Sequence, residues 1–262
     1  MIDFSEGERT HSSIDPLRSV AAQARPALTR RFYATAGFER REDGFVVLLD
    51  GRIVKTPLKT ALALPGARLA ELIAQEWAAQ GESIDPAAMH LTRLANTALC
   101  GVAQNMAATL DEVVKYAGSD LVCYRAAEPA ALAARQAGAW NPVLDWARAA
   151  LGAEFLLAEG IVFAAQPEAA IAAVRVALEA SAGAGPHAPF RLAGLSLMTS
   201  LTGSTLLALQ CAFGALAPQA AWQAAHVDED FEIAQWGEDG EATLRRANRW
   251  RDFAAGAAML GV

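Results

Sequence analysis

Basic residues are in deficit in this chain: Lys and Arg number 22 against 29 Asp and Glu, for a net charge of −7. Nucleic-acid binding wants the opposite footprint, so that class is excluded. The acidic balance suits a partner with basic patches. Cysteine is scarce. Cys100, Cys123 and Cys211 are far apart, odd in number and free of C-x-x-C spacing, so they read as buried reduced thiols. The four histidines, His11, His90, His187 and His226, do not pair at the spacing a four-ligand zinc site needs. The sequence contains no G-x-S-x-G, no P-loop and no G-x-G-x-x-G after a strand. Neither an enzyme nor a bound cofactor is expected. Aromatics make up only 7%, and the abundance of Ala favours helix over sheet.

The N-terminus, residues 1–28, is polar and acidic. It carries no apolar run for a secretory signal and is too acidic at its start for a mitochondrial presequence, so it reads as a flexible tail. Leu192–Ala217 carries no charge and is long enough to span a bilayer. It is interrupted by Ser196, Thr199, Ser200, Thr202, Ser204 and Gln210. Its apolar residues fall on two stripes, which predicts two buried helices, or one bent at Thr202-Gly203-Ser204, and no membrane insertion.

The pattern predicts an α+β chain, with a small mixed strand/helix domain over 29–88 followed by an all-helical domain over 89–262. Arg31-Phe32-Tyr33 opens the strand region. Gly44–Leu49 and Arg52–Thr56 flank Asp50-Gly51, the dipeptide favoured by a type I′ hairpin turn. Leu58–Leu64 reads as a further strand, stopped by Pro65-Gly66. Helices are expected over Ala67–Gln80, Leu91–Leu99 and Met106–Ala117, from the spacing of their apolar residues. Asn141-Pro142 offers a cap and a proline at the first helical position, with Gly152 as the stop. Gln166-Pro167 opens another helix, which ends in the loop Gly183–Pro186. The last two helices are expected over Pro218–Trp236 and Glu238–Leu260.

His226-Val227-Asp228-Glu229-Asp230 is the densest polar cluster. Residues adjacent in a helix point about 100° apart, so the three acids cannot converge on one ion, and a solvated acidic face is the simpler reading. A metal-dependent hydrolase centred on His226, Asp228 and Asp230 is the alternative. In a continuous 218–236 helix, Ala224, Val227, Phe231 and Ala234 form a core stripe. Trp222, His226, Glu229, Ile233 and Trp236 cluster within about 80° on the other side. That second face means either a helix packed between others or a face for a partner protein, since Trp is enriched at interface hot spots. Trp77, on the stripe with Leu69 and Ile73, has the same two readings, core or contact, beside Glu76. Glu241 begins the ladder Glu241/Arg245/Arg249 and could equally face a partner.

Several segments, taken in order, resemble one family: Arg31-Phe32-Tyr33, Leu49-Asp50-Gly51-Arg52, Lys55-Thr56-Pro57, Glu76-Trp77, Leu91–Thr97, Ser119–Arg125, Leu201–Ser204 and Trp236-Gly237. The set is similar to the ATP synthase assembly chaperones that bind the alpha subunit of the catalytic head, found in mitochondria and alphaproteobacteria. The resemblance runs over about residues 31–260. It implies a non-enzymatic monomer, cytoplasmic if bacterial and in the matrix in mitochondria, which shields the alpha subunit until beta joins. The residues it implies for partner binding are Glu76, Trp77, Asp228, Glu229 and Asp230. Trp222, Trp236 and Glu241 are added by the helix geometry.

Overall fold

The computed structural model describes residues 28–160 and 162–262. Except for Leu28, the expected tail lies outside the described residues. Three strands form the order β1-β2-β3: β1 (Ala36–Arg41), β2 (Gly44–Leu49) and β3 (Arg52–Ile53). The fourth, β4 (Ala63–Leu64), pairs with the far half of β2, and all pairings are antiparallel. The Asp50-Gly51 turn forms as expected, with φ of 47° and 77° at its two residues, the positive pair a type I′ turn requires. The Asp50 carboxylate also accepts from the Thr35 amide at 2.8 Å and the Ala34 amide at 3.1 Å. These backbone donors hold its pKa below the usual carboxylate range.

Three details of the strand region differ from expectation. Of Arg52–Thr56 only Arg52–Ile53 is strand, followed by an isolated bridge from Lys55 to Ala61. Arg31 opens no strand run; its segment makes one bridge, Arg30 to Ser83. Of Leu58–Leu64 only the last two residues are strand, because Lys59, at φ 64°, turns the chain back first.

The helices are α1 (Ala67–Ala78), α2 (His90–Cys100), α3 (Met106–Ala117), α4 (Ala130–Trp146), α5 (Glu168–Ala182), α6 (Ala188–Thr202), α7 (Thr205–Ala212), α8 (Pro218–Ala225), α9 (Val227–Trp236) and α10 (Gly240–Leu260). A short parallel pair, β5 (Tyr124–Arg125) with β6 (Ala158–Glu159), lies between helices. Asn141-Pro142 does not start a helix. It sits inside α4, which begins after the cis Glu128–Pro129 bond. Pro142 has no N–H for the carbonyl four residues back, and that residue is Gly138, on an exposed face where water can serve it. The uncharged stretch divides where expected. Gly203 ends α6, and the Ser204 side chain accepts from the Leu207 amide at 3.1 Å to start α7. No helix among the described residues is long and apolar enough to cross a membrane.

Two cores result. One packs Val47, Leu49, Leu62 and Leu64 of the sheet region against Leu69 and Ile73 of α1 and Leu94 of α2. The other gathers Val113, Trp140, Leu178, Leu206, Leu209 and Trp222 from the later helices. α6 serves both: Leu192 and Ala193 enter the first, Leu195 and Met198 the second. α10 does the same, with Ala255 and Met259 in one and Phe253 and Leu260 in the other. The two helices cross at Gly194 and Gly256. A Cβ at Gly194 would lie 2.6 Å from the Gly256 carbonyl oxygen, so only glycine permits this approach.

Candidate protein-docking surface

The sequence treats 218–236 as one helix, and the structure breaks it at His226. His226 has φ −116° and ψ 21°, separating α8 from α9. Its Nδ1 lies 2.7 Å from the Trp222 carbonyl oxygen. Its ring packs on Trp222, with centroids 4.0 Å apart. Burial holds its pKa below the ordinary histidine value, so the ring is neutral at physiological pH.

The break undoes the predicted two-tryptophan face. Trp222 is only 4% exposed and packs against Trp250 and Phe253 of α10. It is a core residue and offers no surface to a partner. Trp236, at the end of α9, is 84% exposed. The expectation that the two tryptophans share a binding face is therefore corrected.

The acids diverge as helix geometry requires. Asp228 accepts from Gln136 Nε2 at 2.7 Å, and the same Gln136 accepts from the Ala126 amide at 2.8 Å, tying α9 to α4. Asp230 accepts from Arg246 of α10, raising the guanidinium pKa further. Glu229 lies between, 3.9 Å from Arg246 Nε and 3.9 Å from His226 Nε2. All three occupy the first turn of α9, where the helix dipole favours negative charge. Among the described residues no three of His, Cys, Asp or Glu are grouped to hold a metal. His226, Asp228 and Asp230 each face a different partner, which corrects the alternative metal-centred reading.

Between α9 and α10 lies a cleft of about 360 Å³. Glu229, Glu232, Ile233 and Trp236 line it from α9, Glu238 and Asp239 from the turn, and Thr243 and Arg246 from α10. Four carboxylates, one arginine and an exposed indole thus share its lining. Sequence reasoning missed Glu238, Asp239 and Arg246 as members. The signal was the run Gly237-Glu238-Asp239-Gly240, in which two acids sit in a turn between glycines. Asp239 caps α10, accepting from the Glu241 amide at 3.0 Å. Glu241 is exposed and pairs with Arg245 at 3.3 Å. Arg249 does not extend that ladder; it donates to the Leu201 carbonyl of α6 at 2.7 Å.

Glu76 and Trp77 lie half-buried at the edge of the strand-side core. Glu76 Oε1 accepts from the Leu91 amide at 2.7 Å, and Oε2 from the Thr92 amide and hydroxyl, both at 2.8 Å. α2 has no side-chain cap of its own, so Glu76 caps it from α1. Trp77 packs edge-on against Tyr33, centroids 5.7 Å apart, and its carbonyl accepts from the Tyr33 hydroxyl at 2.7 Å. This pair ties elements together.

Residues 30–148 match the family described as ATP12 chaperone protein. The structure is similar to that of a protein of Agrobacterium tumefaciens described as a chaperone candidate. Identity is 44% and TM-score 0.84, covering 95% of this chain and 92% of that one. It is also similar to Atp12 from Paracoccus denitrificans, at 36% identity and TM-score 0.80, covering 89% of this chain and 97% of that one. A point variant of the Paracoccus protein matches at 35% identity and TM-score 0.79, over the same shares.

Proposed function

This chain belongs to the ATP12 chaperone family, and from that premise we propose that it is an ATP synthase assembly chaperone which holds the free alpha subunit of the catalytic head. In this reading it covers the alpha surface that later meets beta, keeps it from self-association and then leaves. It acts as a monomer, one chaperone to one alpha subunit, in the cytoplasm if the source is bacterial.

The observation that carries the reading is the α9–α10 cleft. Two of its carboxylates, Glu232 and Glu238, make no hydrogen bond or ion pair among the described residues, unlike Glu76, and Trp236 at 84% exposure is the largest apolar side chain left to solvent beside them. An exposed aromatic beside a surplus of one charge suits a reversible contact. The aromatic supplies desolvation energy on docking, and the charges set orientation and encounter rate. A temporary partner needs release as well as capture, and a small anchor with a polar rim gives both.

The test is calorimetry of the chain with its cognate alpha subunit, produced by co-expression as a one-to-one complex. Glu232→Lys with Glu238→Lys should lower affinity at least tenfold while the melting temperature stays within a few degrees. Unchanged affinity in the folded double variant would remove the cleft as the docking surface. Failure of the wild type to form the complex would remove the alpha subunit as the client.

A further inference from the structure

The strand end of the molecule is charged oppositely to the rest. Residues 29–66 hold seven Lys and Arg against four Asp and Glu, a net charge of +3 in a chain that totals −7. One border of that region is β1, which pairs with β2 on one side and with no strand on the other.

The register fixes which backbone groups β1 turns outward. Ala36 lies opposite Leu49. One step further along the pair, the Asp50 amide donates to the Thr35 carbonyl at 3.0 Å. In an antiparallel pair such exchanges recur at every second residue. Gly37, Glu39 and Arg41 therefore aim their main-chain groups at β2, while Ala36, Phe38 and Arg40 aim theirs away. Among the described residues no backbone group bonds to that outer side. Buried amides and carbonyls are almost always paired, so this unpaired row belongs to solvent. The side chains agree. Phe38 is 39% exposed, Arg40 is exposed, and a Cβ built on Gly37 meets nothing within 4 Å. Arg41 is paired with Glu39, whereas Arg40 has no ion pair among the described residues.

We propose that the outer edge of β1 docks an extended acidic segment of a partner protein, which joins the sheet as an added strand beside Ala36, Phe38 and Arg40. An edge of unpaired amides and carbonyls is a template for another extended chain, and main-chain bonds supply the affinity. Side chains set the composition of the incoming strand. An Asp or Glu belongs opposite Arg40, and an aromatic or β-branched residue opposite Phe38. Charge also argues against a second copy of this chain as the occupant, since pairing β1 with β1 brings one +3 region against another. That the acidic segment belongs to the client rests on the chaperone reading; the chemistry of the edge does not. On that reading the client meets a basic edge at one end and the acidic cleft at the other, and two contacts of opposite sign fix its orientation.

The probe is a terminally capped peptide of alternating Glu and Val, followed by NMR of the full chain. It should shift the Ala36, Phe38 and Arg40 amides and slow their hydrogen exchange. A Lys-Val peptide of equal length should bind at least about fivefold more weakly, and Arg40→Ala should cost the Glu-Val peptide about threefold. The Glu-Val peptide N-methylated at alternate residues, which keeps the charge and removes the edge-facing donors, should not bind. Ala36→Pro deletes one outward amide and leaves the β1–β2 bonds in place, so it should weaken the peptide several-fold with the melting temperature nearly unchanged. Equal binding of the N-methylated peptide, equal binding of the Lys-Val peptide, or shifts confined to other residues would each overturn the added strand. So would concentration-dependent self-association that moves the same three amides, which would give the edge to a second copy. Ala36→Pro should also weaken the alpha subunit. If it weakens the peptide and leaves alpha affinity intact, the client's use of the edge is overturned. If the wild type binds the peptide and not alpha, the chaperone reading fails and the edge stands.

Discussion

Glutamate and tryptophan meet twice in this molecule, with opposite consequences. At Glu76-Trp77 both carboxylate oxygens are taken by the first turn of α2, and the indole lies against Tyr33. At the α9–α10 cleft, Glu229, Glu232 and Trp236 face a groove open to solvent. The residue types are the same, and their neighbours separate architecture from surface. In the first place the carboxylate replaces a missing helix cap. In the second, Asp239 caps its own helix and Glu229 lies by Arg246, which leaves Glu232 and Glu238 without a partner among the described residues.

The comparison breaks most sharply at Glu76. Glu76→Ala leaves two amides and a hydroxyl without their charged acceptor and should cost about 3 kcal/mol of stability. Urea denaturation would read this as a lower midpoint. The affinity of the folded fraction for alpha should stay as it was; a stable variant with lost affinity would reverse the assignment.

Asp120 carries the same contrast to its buried limit. It is fully buried, with Oδ1 accepting from the Val122 amide at 3.2 Å and Oδ2 from the Leu206 amide at 3.0 Å, holding a turn to the start of α7. Burial pushes its pKa from 3.8 up to about 6. A carboxyl whose folded pKa is raised gives stability that is fully present below its unfolded pKa and lost as pH rises through the folded one. The stability difference between wild type and Asp120→Asn should therefore slope between pH 3.8 and about 6, against the wild type as pH rises, and be flat above. A flat difference throughout would mean the carboxyl titrates normally.

The smallest effect on stability is expected at the surface. Trp236→Ala should change unfolding free energy by no more than about 0.5 kcal/mol and weaken alpha binding about tenfold. A large loss of stability would mean that Trp236 is held by the fold after all.

Much of the fold was readable where a local rule acts alone. Asp50-Gly51 has no competing role, so turn chemistry placed it, and the apolar spacing of Met106–Ala117 placed α3 at its observed bounds. The reading failed where tertiary contacts override local ones. Asn141-Pro142 carries a helix-start signature, yet α4 runs through it because Gly138 and solvent tolerate the lost hydrogen bond. His226 gives no glycine or proline to announce a break, so the sequence places Trp222 and Trp236 on one face that the turn between α8 and α9 divides. Within the site, the acids near Asp228 were visible as a run of like charge. Arg246 was not, because its place opposite Asp230 depends on the return of the chain through α10.

The crossing of α6 and α10 at Gly194 and Gly256 has a consequence for how the molecule comes apart. Each helix threads both cores, and at the crossing their backbones approach closely, with Met198 and Met259 packed beside the two glycines. Loosening either core pulls on a strut the other depends on. The strand end and the helical end should therefore melt in one cooperative transition, and slow hydrogen exchange in the two should report the same opening event.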